Sequence, residues 1–344
     1  MSLGLELLDE LDYLQAPLIG PVKTPSGMTA SIEQNMPISG SSRTFTLRSP
    51  YFVRTLGPVD LGVAWDPLCR LLRHHGIPIF SPVDALVDIP AASVPARWSG
   101  RAWDEPFDFD ELSTADLFEI ACHDSARRQW KWPSEIASDR IDGLLRSVRE
   151  TSGGDTPIGV SLPLGCHVDD IQRCLSADVD FISLSCRFAK FEASDLHSLV
   201  QCRALATKRN RSRLPLLVTA PIADIEQAHK LLALGASAVS LDCILRPAIA
   251  QDMQPNENEV STDELRRMLP SIASSLNWSA PQRFELSQVE KLLAQAPRSL
   301  GERLTSVGAS DLASFTWECL RSVSERAQRT TGVMRLAHDH SSPT

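Results

Sequence analysis

Between Asp155 and Ala250 the chain repeats one local pattern four times: a short apolar run, then a segment of helical period. The apolar runs are Ile158–Leu164, Phe181–Cys186, Leu214–Thr219 and Ala238–Asp242, each bounded by Gly, Pro or Asp and rich in Val, Ile and Leu. Strands buried on both faces read this way. Between them, Val168–Ser176, Ser194–Lys208 and Asp224–Leu234 carry apolar residues at i, i+3, i+4 spacing, with Ile225, Ala228, Leu231 and Leu232 on one face of the last. Short links between such units imply right-handed βαβ crossovers and a parallel sheet. Units at this pitch suit half of a (β/α)8 TIM barrel. A doubly wound domain would want a glycine-rich dinucleotide turn, and the sequence has none.

With 344 residues the chain can hold one barrel of roughly 200–250 residues and something smaller. A net charge of −9 argues against nucleic acid or an anionic membrane as partner. The one basic run, Lys208–Arg213, falls where a helix ends before a strand, where dipole and solvent favour it. No apolar run approaches the ~20 residues of a membrane span, and the acidic N-terminus is unlike a signal peptide. The eight cysteines are scattered without a CxxC, as expected of reduced thiols in a cytoplasmic protein.

In chain order, residues 1–45 read as an N-terminal arm, with a short helix at Leu5–Leu14 and then Pro-, Gly- and Ser-rich extended chain. The barrel is expected over 46–252, its first strand within Thr44–Thr55, then a helix at Asp66–His75 and a strand at Ile77–Ser81. Ala91–Lys131 reads as long loops plugged by aromatics, with one strand at Leu117–Cys122; Ser134–Glu150 reads as an amphipathic helix. Residues 253–344 read as a small helical appendage with runs at Thr262–Leu276, Leu286–Leu293 and Asp311–Arg329, the last capped by Ser310 or Asp311.

Four segments occur in a telling order: Ala115–Ala121 (ADLFEIA), Arg149–Leu162 (RETSGGDTPIGVSL), Ala233–Leu245 (ALGASAVSLDCIL) and Ser299–Val333 with its late Thr331–Gly332–Val333. Together they resemble the FMN-binding barrel of glutamate synthase and its stand-alone relatives. The segments are similar, in turn, to that family's mid-barrel strand, a helix end with the strand that follows, the closing helix–strand pair, and the helical tail. The resemblance implies a (β/α)8 barrel binding FMN, and an FMN-linked oxidoreductase acting on amino or imino compounds.

At the positions where that family holds its flavin, this chain departs from the pattern. A lysine and glycine-rich turn after the mid-barrel strand are replaced by Cys122–His123–Asp124–Ser125. A second lysine position is Ser161, which cannot stabilise an anionic reduced flavin as a cation would. The glycine-rich active-site loop is replaced by Ser185–Cys186–Arg187–Phe188. The Asp-Gly-Gly phosphate turn becomes Thr219–Ala220–Pro221–Ile222, and Pro221 lacks an N–H. The glycines of the last loop are Asp242 and Cys243, and an acid there would repel a phosphate. The cysteine-rich segment of the full synthase is missing, so no iron–sulfur cluster is expected.

Barrel sites lie at the C-terminal ends of the strands. The candidate cofactor-binding residues are therefore Ser161, Ser185, Arg187, Thr219, Asp242 and Arg246, with Arg187, Lys190 and Arg246 able to form an anion pocket. Cysteines and histidines also gather near strand ends, and Cys166, His167 and Cys243 stand as an alternative zinc-type set or Cys–His nucleophile, against plain packing. Three classes follow. The chain is an FMN oxidoreductase with shifted binding residues, a degenerate non-catalytic barrel serving as binding or assembly partner, or an enzyme repurposed around a Cys/His mouth. Residue chemistry favours the second, with a small molecule at the mouth or a protein as partner, and it is compatible with a homo-oligomer.

Overall fold

The apolar runs pair side by side because each is buried on both faces and bounded by a turn. The computed structural model describes residues 3–14, 34–38, 44–54, 56, 61, 64–80, 97–103, 115–124, 129–130, 138–152, 156–186, 191–253 and 285–334. Within it, β1 (Tyr51–Phe52), β2 (Ile79–Phe80), β3 (Arg97–Ala102), β4 (Leu117–Ala121), β5 (Ile158–Pro163), β6 (Phe181–Ser185), β7 (Leu216–Thr219) and β8 (Ala238–Ser240) make one eight-stranded sheet. Every neighbouring pair in it is parallel, in the order β1-β8-β7-β6-β5-β4-β3-β2. At the seam between β1 and β2 no ladder runs among the described residues. A single parallel bridge, Val53 to Ile79, spans it, with the Val53 N–H donating to the Pro78 carbonyl at 3.0 Å. The architecture is the α/β, (β/α)8 type.

Alternation along the strands divides the apolar residues into two cores. Phe52, Leu117, Phe181, Leu217 and Ala238, with Leu47, form one cluster and make the barrel floor. Their strand neighbours Tyr51, Val53, Phe118, Ile182, Leu216, Val218 and Val239 belong to the larger cluster, shared with the helices. Gly159 of β5 is required by this floor, because a Cβ there would strike the Phe181 ring.

The helices are α1 (Leu3–Asp9), α2 (Trp65–His74), α3 (Ser138–Thr151), α4 (Val168–Ser176), α5 (Ala193–Lys208), α6 (Ile225–Ala233), α7 (Asp242–Asp252), α8 (Ser287–Val307) and α9 (Glu325–Thr331). Asp224 caps α6 by accepting from the Gln227 N–H at 2.8 Å, and α5 carries a reciprocal capping box between Glu192 and Asp195. The chain's two ends clasp the barrel from outside. Helix α1 lies on α5 and α6 with Leu7 and Leu8 fully buried, and Leu11–Tyr13 pairs antiparallel with Leu320–Ser322. Helix α8 packs on α7, and α9 on α5.

Four expectations are corrected. Arg97–Ala102, read as loop, is a full barrel strand; RWSGRA lacks the β-branched pattern, and its ladder with β4 holds it. Thr44–Leu47 pairs with Gln34–Pro37, and the barrel strand begins only at Tyr51. Asp242 does not end a strand but opens α7. Asp311–Arg329 is not one helix: pairing of Leu320–Ser322 with the N-terminal strand overrides its helical period, and α9 restarts at the Ser324 cap. The Asp311 carboxylate instead closes a turn onto the Ser314 N–H. Leu286–Leu293 is the opening of the longer α8. Thr262–Leu276 lies outside the described residues.

Candidate binding site at the strand ends

Inward-facing positions recur every second residue, so the layer above the floor can be read off each strand. Above Phe52 stands Arg54, above Leu117 stands Glu119, above Gly159 stands Ser161 and above Phe181 stand Ser183 and then Ser185. Above Leu217 stands Thr219, and above Ala238 stands Ser240. A hydrocarbon floor therefore carries a polar storey.

Arg54 organises that storey. Its guanidinium reaches from the end of β1 to the Glu119 carboxylate on β4 as a fork, Nη2 to Oε1 at 2.5 Å and Nη1 to Oε2 at 3.1 Å. Nη1 also donates to Ser183 Oγ at 2.5 Å, and Nη2 to Ser161 Oγ at 3.4 Å. Glu119 is 2 % exposed and the Arg54 side chain 21 %. Two-pronged geometry of this kind is what guanidinium and carboxylate do best.

The Asp242 carboxylate forms the second knot. It accepts the Arg54 N–H on both oxygens, at 3.0 and 3.1 Å, and also the Ser240 hydroxyl, while itself 3 % exposed. One residue, Arg54, thus links strands β4, β5 and β6 through its side chain and the start of α7 through its backbone.

Two hydroxyls stand apart from this network. Ser185 Oγ and Thr219 Oγ1, register partners at the ends of β6 and β7, are buried and bond to nothing among the described residues. Buried hydroxyls of this kind ordinarily have a partner, protein or otherwise. They are the open hydrogen-bonding positions of the mouth.

FMN would bring a phosphate to this mouth. Phosphate in such a barrel is held by backbone N–H groups after β7 and β8. Several of those groups here are bonded within the chain: Ile222 N–H donates to the Ala220 carbonyl, Ala223 N–H to Gln227 Oε1, Leu241 N–H to the Phe52 carbonyl, and Ile244 and Leu245 N–H both to the Leu241 carbonyl. Pro221 has no N–H, and the buried Asp242 carboxylate would face the dianion. The residues present at this position do not fit the phosphate of FMN.

The structure brings Ser161, Ser185, Thr219 and Asp242 to the interior, as their strand-end positions suggested. It does not bring Arg246 with them; that residue is exposed on α7. Arg187 and Lys190 lie outside the described residues. Arg54, Glu119, Ser183 and Ser240 were not anticipated. The signal was a lone acid inside LFEIA, a single serine in each of IGVSLP and AVS, and two serines one residue apart in FISLS.

The alternative set Cys166, His167 and Cys243 is described in full. Among the described residues no three of His, Cys, Asp and Glu are placed to hold a metal ion. Cys166 is buried, whereas His167 and Cys243 are exposed. Burial pushes the Cys166 and Cys122 thiols far up, and burial and then Asp242 raise Cys243, so none is poised as a thiolate.

No protein-family model matches the sequence, and no curated protein matches it. Solved structures do. A mutant flavocytochrome b2 with benzoylformate superposes with a TM-score of 0.60 at 14% identity, over 94% of this chain and 78% of that one. The recombinant flavin-binding domain of baker's yeast flavocytochrome b2 gives 0.57 at 14%, over 95% and 80%. A mandelate oxidase mutant with a C4a-OH-FMN adduct gives 0.57 at 15%, over 90% and 87%. What these likenesses show is the fold. They do not single out glutamate synthase. Among the described residues no helix is long and apolar enough to cross a membrane.

Proposed function

We propose that this chain is a barrel of the FMN-oxidoreductase fold that acts as a binding protein rather than a flavoenzyme, taking a small polar molecule at its mouth. The observation that carries this reading is the Asp242 carboxylate, buried where a phosphate would sit and holding the Arg54 N–H. Ser185 and Thr219 supply the unused hydrogen-bonding groups. Both hydroxyls donate and accept, and the charges of the polar storey among the described residues, Glu119 and Asp242 against Arg54, favour an uncharged ligand over an anion. A reducing setting, the cytoplasm, is in keeping with eight cysteines that form no CxxC.

The rival reading is an FMN-linked oxidoreductase. It is supported by the solved likenesses, whose names include a flavin-binding domain and an FMN adduct, and by the glutamate-synthase resemblance. One measurement separates the two: absorption from 300 to 550 nm of the purified protein, before and after incubation with FMN and dialysis. A protein without flavin peaks in both states is the expected result. Retained peaks would overturn the binding-protein reading and restore the oxidoreductase.

A further inference from the structure

The interior of such a barrel is filled by layers of side chains, and ligands approach it from the strand ends. In this chain the layer above the floor, beneath Ser185 and Thr219, is spanned by a side chain anchored at one wall and held at the far one. Arg54 leaves β1, and its fork closes on Glu119 of β4, with Ser161 and Ser183 on the next two strands, β5 and β6, as further acceptors. Counted around the ring, β4, β5 and β6 lie three, four and three places from β1, so its partners are on the far side. The guanidinium therefore crosses the barrel instead of lining it.

We infer that the Arg54–Glu119 pair is a built-in occupant, a specificity-determining plug that fills the axial position and excludes ring-shaped ligands from it. This rests on the flavin-free reading and extends it from the phosphate position to the ring position. Three observations converge on it. The pair is two-pronged and its acid almost wholly buried, so it is fixed. Serines, the smallest hydroxyl side chains, occupy the wall positions on β5 and β6 and leave the volume that the long arginine takes up. The same residue's N–H is tied to Asp242, so the anchor end cannot swing away without breaking a second buried contact. The charge of the pair is balanced internally, which leaves the plug without need of an outside ion.

The test uses lumiflavin, the flavin ring without its phosphate chain, so that the phosphate position plays no part. Arg54→Ala/Glu119→Ala removes both halves of the plug, and fluorescence quenching should show lumiflavin binding at least ten-fold tighter than to the wild-type protein. Should that variant not fold, Glu119→Gln keeps the shape and leaves the arginine without its counter-charge. Its thermal midpoint should then rise with low-millimolar sulfate, at constant ionic strength, by several degrees more than the wild-type midpoint does. Either gain supports the plug. Folded variants showing neither gain would overturn it, as would wild-type protein that binds lumiflavin as tightly as the double variant. FMN retention by the wild-type protein is a separate outcome that overturns the flavin-free reading itself.

Discussion

Tyr51 and His229 share a buried hydrogen bond of 2.9 Å between the phenol oxygen and Nε2. The Tyr51 hydroxyl also lies 3.2 Å from the Ala296 carbonyl, to which it must donate, so His229 donates through Nε2 and its Nδ1 is bare. The contact joins β1, α6 and α8. A second proton on His229 would sit in this apolar wall without an acceptor. Burial, and then the Arg303 charge, lower its pKa from 6.5 to about 4.

The sign of the pH dependence follows. Above pH 6.5 neither folded nor unfolded chain holds the extra proton, and stability is full. As pH falls from 6.5 toward 4 the unfolded chain takes it up and the native one does not, so stability drops, by about 3 kcal/mol in all. Below pH 4 this loss levels off. Urea unfolding at a series of pH values should show the slope, and His229→Gln should flatten it; an unchanged slope in the variant would assign it elsewhere.

Asp242 is expected to matter for stability. Asp242→Ala leaves the Arg54 N–H and the Ser240 hydroxyl without their acceptor in a buried setting, a loss of about 2 kcal/mol. Chemical denaturation would measure it. Stability equal to the wild type would mean that water replaces the carboxylate there.

Breaking the axial pair should cost more. Glu119→Ala strands a largely buried guanidinium, a penalty of about 3–5 kcal/mol. The double change with Arg54→Ala should be less damaging than the sum of the single ones. Simple additivity in a double-mutant cycle would deny the coupling.

The floor is equally intolerant. Gly159→Ala drives a methyl group into the Phe181 ring and should destabilise by about 1–3 kcal/mol. Adding Phe181→Leu should recover part of that, by thermal melts of both variants.

Thiol chemistry gives a test of burial. Cys243 is exposed, whereas Cys69, Cys122, Cys166, Cys174 and Cys202 are buried with their thiols held protonated by desolvation. Labelling with a coloured disulfide reagent should therefore start at Cys243, and Cys243→Ser should remove the fast phase. Native-state modification of Cys166 would contradict the packing.

The second half of the barrel was legible in the sequence because its strands are short, pure and separated by helices of clear period; Val168–Ser176 is found where its period places it. The first half was not. Tyr51–Phe52 and Ile79–Phe80 are two residues each, too short to show a period, and β3 carries Gly and Ser where a pattern would want Val or Ile. The same limit applies to the site. Ser185 and Thr219 follow from strand ends, and Ser161 and Asp242 from positions the family resemblance singles out, but Arg54 and Glu119 are 65 positions apart and only the ring of strands reveals that they meet.

The separations around Arg54 also bear on how the chain matures. Its partners lie 65, 107, 129 and 188 residues further along, at Glu119, Ser161, Ser183 and Asp242. As the chain emerges from the ribosome, N-terminus first, this arginine has no native mate until the fourth strand arrives. Its backbone is not anchored until the eighth strand has been made. Contacts this distant are slow to form, and a truncated product would leave a charged side chain and an unpaired strand open to other chains. Arg54 thus works as a gauge of completeness: its environment is whole only when the last strand of the circle has been delivered.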